Sequence, residues 1–139
     1  MLKRKIARWL LGIAYLIAGY LHVTMPGPFL SITPDWVPFP AVVIYWTGMA
    51  EVAGAAGLLQ PLGPRLRQAA GVGLALYALC VWPANIHHFA MDMAKPDGGL
   101  GLGYHIPRMI AQPVLIWLAL WTGNVTNWPF GKRREANKI

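Results

Sequence analysis

Apolar residues run almost unbroken through four stretches of the chain, at about residues 6–24, 41–59, 68–91 and 107–123. Each is close to the ~17–25 residues that cross ~30 Å of hydrocarbon at 1.5 Å per residue. The pattern predicts four transmembrane helices, because in lipid a helix satisfies its own backbone groups. The turn at 60–67 contains Pro61, Gly63 and Pro64, so the second and third spans are expected to form a tight antiparallel hairpin. The segment 25–40 carries five prolines, which rules out a long helix. It also carries Phe29, Leu30, Ile32, Trp36, Val37 and Phe39, which suit the membrane interface over the outer mouth of the helices. The outer loop, 92–103, is rich in glycine and is expected to be flexible. No strand precedes it, so its glycines make no dinucleotide fingerprint. The expected fold class is all-α: an integral membrane four-helix bundle, up-down-up-down, with a Pro-rich interfacial segment between helices 1 and 2. It forms a single transmembrane domain over 1–139, ending in a loose basic tail at 124–139.

Composition narrows the class further. At 139 residues there is room for one domain. Charged residues make up only 12%, about half of what a soluble domain carries, and apolar residues 56%. A disordered tail, a soluble nucleic-acid binder and a secreted disulfide scaffold are excluded on that ground. The net charge of +7 reflects where the basic residues sit. Lys3, Arg4, Lys5 and Arg8 precede the first span, Arg65 and Arg67 lie between the second and third, and Lys132, Arg133, Arg134 and Lys138 follow the fourth. Four crossings put all of these on one side. Lys95 and Arg108 fall on the other, with Asp35, Asp92 and Asp97. The positive-inside rule then places both termini in the cytoplasm of a cell whose cytoplasmic membrane the chain crosses. The partner is the lipid bilayer, and no nucleic acid is expected. The first span is followed by Thr-Met-Pro-Gly-Pro, not an A-x-A-like cleavage site, so it is expected to remain as a helix. Cys80 is the single cysteine, which excludes an internal disulfide, a Cys-x-x-Cys pair and a c-type haem motif. The sequon Asn124-Val-Thr126 would lie on the cytoplasmic side and carry no meaning there.

Small residues cluster on the second span (Gly48, Ala50, Ala53, Gly54, Ala55, Ala56, Gly57) and on the third (Ala69, Ala70, Gly71, Gly73, Ala75). They read as packing seams between helices. Ionisable groups in a span need a stronger reason, since each costs on the order of +2.5–3.5 kcal/mol at mid-membrane. Glu51 lies near the middle of the second span, and Thr47, Gly48, Gly54 and Ala55 flank it on the helix surface. This face should pack inward, where the carboxyl group needs a proton or a donor. Donors are available on the outer half of every other span: His22 on the first, Asn85 and His88 on one face of the third, and Arg108 and Gln112 with His105 on the fourth. Each has a bland alternative. A histidine near the interface can simply be hydrated, Arg108 can snorkel to phosphates, Asn85 and Gln112 can be interhelical glue, and Glu51 can pair structurally with Arg108 or a histidine. There is no H-E-x-x-H motif, and adjacent His87 and His88 cannot face one point, so no metal site is expected. Apolar walls with one acid, one Arg, an Asn and a His suit an amphipathic ligand bearing one or two carbonyls, as in a quinone headgroup.

The segments Ala18-Gly-Tyr-Leu-His22, Pro26-Gly-Pro-Phe29 with Pro34-Asp-Trp-Val-Pro38, Gly48-Met-Ala-Glu51, Gly57-Leu-Leu-Gln-Pro61, Trp82-Pro-Ala-Asn-Ile-His87 and Pro107-Arg108 followed by Gln112 resemble, in order and placement, the DoxX family of small bacterial membrane proteins. The resemblance implies a four-helix protein of the bacterial cytoplasmic (inner) membrane, associated with quinone-linked oxidation and membrane oxidoreductase complexes. It carries the family's polar positions onto His22, Glu51, Asn85, Arg108 and Gln112. The chain lacks the cysteine pair of thiol-oxidising four-helix quinone reductases, so a redox role would need a quinone or a partner subunit. The expectation is a ligand-binding membrane subunit with Glu51, His22, Asn85, His88, Arg108 and Gln112 as ligand-binding residues. Catalytic residues are unassigned, no cofactor is firmly implied although a quinone would suit the site, and the partner is a redox protein or a second copy of the chain. The alternatives are a structural or chaperone-like membrane protein without ligand, and a small metal or solute carrier using Glu51 and the histidines. The lack of a cytoplasmic-side polar path argues against a full transport route.

Overall fold

The computed structural model describes residues 2–131. Among them the chain is all-α, with no strand and five helices: α1 Leu2–Thr24, α2 Gly27–Leu30, α3 Pro40–Leu59, α4 Pro64–Met93 and α5 Leu102–Thr122. Proline opens α3 and α4, at a position where its missing N–H costs nothing and its fixed φ suits the first turn. The segment 25–40 forms no long helix. Its one regular element is the single turn α2, an element the apolar pattern does not reveal.

Two boundaries differ from expectation in an informative way. Helix α4 begins about a turn before the apolar run, because Pro64, Arg65 and Arg67 extend it out of the hydrophobic stretch. Helix α5 begins five residues before Pro107, so Pro107 and Pro113 lie inside the helix and not at its start. Each removes one helical N–H donor, which is tolerated where neighbouring groups compensate. Three helices, α1, α3 and α4, are long and apolar enough to cross a membrane. Helix α5 has the length but is not among them, because Tyr104, His105, Arg108 and Gln112 dilute its first three turns.

The four long helices pack in a ring: α1 on α3, α3 on α4, α4 on α5, and α5 more sparingly back on α1. Arg4 and Arg8 at the start of α1 reach Asn124 and the Thr122 carbonyl at the end of α5, and Gln68 at the start of α4 reaches the Asn124 carbonyl. These contacts gather alternate helix ends. Leu11, Tyr15, Ala55, Leu58, Leu74, Ala75 and Ala119 form the buried core. Glycines set the closest approaches. A Cβ on Gly19 would stand 2.7 Å from the Gly48 carbonyl oxygen, and one on Gly71 would stand 2.7 Å from the Ala119 carbonyl. The small-residue seams therefore do what packing requires of them.

The expected looseness after Gly123 does not hold up to residue 131. Asn124 sits at φ 63 in the left-handed region, the Val125 N–H bonds the Leu120 carbonyl at 2.9 Å, and the Asn124 N–H bonds the Trp121 carbonyl at 3.1 Å. This is a Schellman cap with Asn in the place usually taken by Gly. Residues 132–139, including Lys132, Arg133, Arg134 and Lys138 of the expected basic tail, lie outside the described residues.

Candidate functional site

The close approach of α1 and α3 at Gly19 and Gly48 brings His22 against Glu51, with His22 Nδ1 2.7 Å from Glu51 Oε2. The same nitrogen lies 2.9 Å from the Ala18 carbonyl. A carbonyl only accepts, so Nδ1 carries the hydrogen and directs it there. The carboxylate therefore has the charge proximity without a well-aligned hydrogen bond. Glu51 is 3% exposed, and Oε2 has no hydrogen-bond partner among the described residues. The basic side chain nearest to Glu51 is His22 and not Arg108.

Both residues open onto a cavity of about 440 Å³ between α1, α3, α4 and α5. Leu11, Ala14, Ile44, Ala78, Val81 and Leu115 give it apolar walls. The Pro-rich segment supplies Phe29, Ile32, Pro34, Trp36 and Val37 to its lining, and Phe29 stacks on His22 with ring centroids 3.7 Å apart. Asn85, Arg108 and Gln112 also line it. Five of the six residues singled out from the sequence therefore meet in one cavity. His88 does not line it, and touches it only through Arg108.

Two further residues escaped the sequence reading. Tyr15 is 6% exposed, lines the cavity, and has a hydroxyl without a partner among the described residues. Tyr77 packs edge-on against it at 6.1 Å and faces Glu51 with its hydroxyl. A signal existed: Tyr15 is seven residues before His22 and Tyr77 eight before Asn85, so each pair shares a helix face. Eight residues of helix are about 12 Å, so polar groups are spread along the cavity and not gathered at one point.

Behind Arg108 lies a second cluster. The Asp92 carboxylate, 1% exposed, accepts from the Leu100 N–H at 3.1 Å, from His105 Nε2 at 2.9 Å and from the Lys95 ammonium, with His88 Nε2 at 3.5 Å. The carboxylate in turn holds Lys95 above the usual range of a lysine. Arg108 donates from Nη1 to His88 Nδ1 at 2.8 Å and lies over the Tyr104 ring. The glycine-rich loop is therefore wrapped around a buried anion, contrary to the flexibility expected of it. Gly99 shows why glycine is needed: at φ 54 a Cβ would collide with the Asp92 carboxylate. His88, Asp92 and His105 offer three ligand atoms within 4.8 Å of one another. A metal ion on the Asp92 oxygen that faces His88 and His105 would share that carboxylate with the Lys95 ammonium and sit near the Arg108 guanidinium, both of which repel a cation.

The fold and cavity define the chain as an all-α protein with three helices fit to cross a membrane and a polar-studded apolar cavity between its helices. It matches the family described as Domain of unknown function (DUF8561) over residues 11–123, and it belongs to that family. This corrects the expected DoxX membership. The short segments that carried that resemblance are rich in small residues and prolines, which packed apolar helices use at their seams and ends whatever their family. No curated protein and no solved structure matches the chain.

Proposed function

We propose that the chain is a four-span membrane protein with both termini in the cytoplasm, and that it holds an amphipathic ligand in the cavity between its helices. One observation carries the reading. Two polar atoms, Glu51 Oε2 and the Tyr15 hydroxyl, are buried at a cavity wall without hydrogen-bond partners among the described residues. Buried polar groups are nearly always satisfied; a ligand hydroxyl would donate to Glu51 Oε2, and a ligand hydroxyl or carbonyl would accept from the Tyr15 O–H. The outward faces favour a lipid setting, since Ile17, Leu76 and Ile110 are all more than half exposed. The distribution of basic residues supplies the orientation.

In this reading Glu51, His22 and Tyr15 bind one polar end of the ligand. Arg108, Asn85 and Gln112 bind the other, and His88 backs Arg108. Phe29 and the rest of the Pro-rich segment close the mouth. A ligand with a polar group at each side of a flat apolar body fits this arrangement, and a quinone headgroup is one such ligand. With a single cysteine, the chain would leave electron transfer to that ligand or to a redox partner. Extraction of the detergent-purified protein with organic solvent, followed by mass spectrometry, tests the reading. The wild type is expected to release a stoichiometric small molecule that Glu51→Gln does not retain. Equal release from both variants would refute the role of Glu51.

A further inference from the structure

At the opposite end of the helices from the Pro-rich mouth lies a second pocket, of about 1200 Å³. Lys3, Arg4, Lys5, Arg8 and Arg67 line it, and no carboxylate does so among the described residues. We propose that it binds the headgroup of an anionic phospholipid.

The arrangement of the guanidinium groups carries this furthest. Asn124 Oδ1 accepts from Arg4 Nη1 at 3.0 Å and from Arg8 Nη2 at 3.3 Å, so two like charges converge on one neutral oxygen. The Schellman cap at the end of α5 fixes Asn124 there. Every other bond of these arginines also goes to a neutral acceptor. Arg8 Nε donates to the Thr122 carbonyl at 2.9 Å, Arg4 Nη2 to Asn127 Oδ1 at 2.8 Å, and Arg67 Nη2 to the Gln60 carbonyl at 2.8 Å. Capping of the last carbonyls of α3 and α5 accounts for Arg67 and Arg8. It does not account for Arg4, held over the Trp121 ring at 5.2 Å, nor for Lys3 and Lys5 on the same pocket. A phosphate would relieve the mutual repulsion, and guanidinium forks match its geometry.

The remaining walls favour a lipid over a water-borne anion. Leu2, Trp9 and Phe130 line the pocket while 70%, 50% and 70% exposed. A soluble phosphate has no use for apolar surface beside the charge, whereas a phosphodiester with acyl chains does. The position, where helices fit to cross a membrane end in a basic cluster, is that of a cytoplasmic-leaflet headgroup.

Native mass spectrometry of the full chain in mild detergent tests this, with dioleoyl phosphatidylglycerol and dioleoyl phosphatidylcholine as probes. The wild type is expected to retain phosphatidylglycerol roughly tenfold or more better than phosphatidylcholine, and Arg4→Gln/Arg8→Gln to lose that preference. Lys3→Gln/Lys5→Gln should weaken it less, because neither lysine is fixed by the Asn124 bridge. Arg4→Gln alone leaves the Arg8 cap on α5 in place and serves if the double variant does not fold. Equal retention of the two lipids by the wild type, or an unchanged preference in the arginine variants, would overturn the proposal. Displacement of phosphatidylglycerol by excess inorganic phosphate would overturn the lipid as the source of the anion.

Discussion

Gly19→Ala tests whether the approach of α1 to α3 builds the Glu51 site. The new Cβ would stand 2.7 Å from both the Gly48 carbonyl oxygen and Val52 Cγ2, and 3.1 Å from Glu51 Cβ. Ordinary contact begins near 3.4 Å, so the helices must part by the 0.7 Å difference unless the neighbours yield. Val52 can rotate, but a backbone oxygen cannot. Transferred to the His22–Glu51 contact, that shift widens 2.7 Å to about 3.4 Å and weakens the pairing of the two side chains. Overpacking of this kind costs about 1–3 kcal/mol. Against it stands the gain of about 0.8–1 kcal/mol from replacing Gly by Ala in a helix. Gly73→Ala supplies the control, since nothing lies within 4 Å of its Cβ position and only the propensity gain applies. Chemical denaturation in micelles should therefore place Gly19→Ala about 1–3 kcal/mol below Gly73→Ala, with ligand retention lost in the former alone. Equal stability of the two variants would refute the reasoning.

Other outcomes follow from the same structure. Asp92→Asn removes the charge that gathers Lys95, His105 and the Leu100 N–H, so cleavage by added protease between residues 94 and 101 should quicken; an unchanged rate would mean the loop is held by other contacts. Cys80 lines the cavity and is exposed, so alkylation by a small maleimide should slow when the ligand is bound, while Cys80→Ser should leave ligand retention unaltered; the opposite pattern would mean the thiol itself takes part. A reporter fused after Ile139 should be cytoplasmic, and a signal from the far side would overturn the four-span orientation.

Much of the fold is legible in the sequence because hydropathy and proline act locally. The apolar runs mark α1, α3 and α4 to within a turn or so, and the five prolines of 25–40 exclude a long helix there. What is misread depends on contacts distant in sequence. Pro107 looks like a helix start until the turn preceding it is seen anchored by His105 on Asp92. The glycines of the outer loop look flexible because the composition does not show that Gly99 must clear a buried carboxylate. Asn124 looks like an idle sequon, yet it caps α5 and bridges two arginines. In the site, its position mid-way along an apolar run and its small flanking residues select Glu51, the end of the first run selects His22, and helical spacing groups Asn85 with His88 and Arg108 with Gln112. The tyrosines are overlooked because Tyr is common near membrane interfaces, and only burial without a partner distinguishes Tyr15.

The central claim is that a ligand satisfies the buried polar atoms of the cavity, and counting bound molecules tests it most directly. Wild type, Glu51→Gln and Tyr15→Phe would be purified in parallel, extracted, and the small molecule quantified per chain. The account predicts about one molecule per chain in the wild type, a reduced amount in Tyr15→Phe and the least in Glu51→Gln. An empty wild type, with the two variants equally stable, would contradict it and leave Glu51 and Tyr15 as packing details of a structural protein.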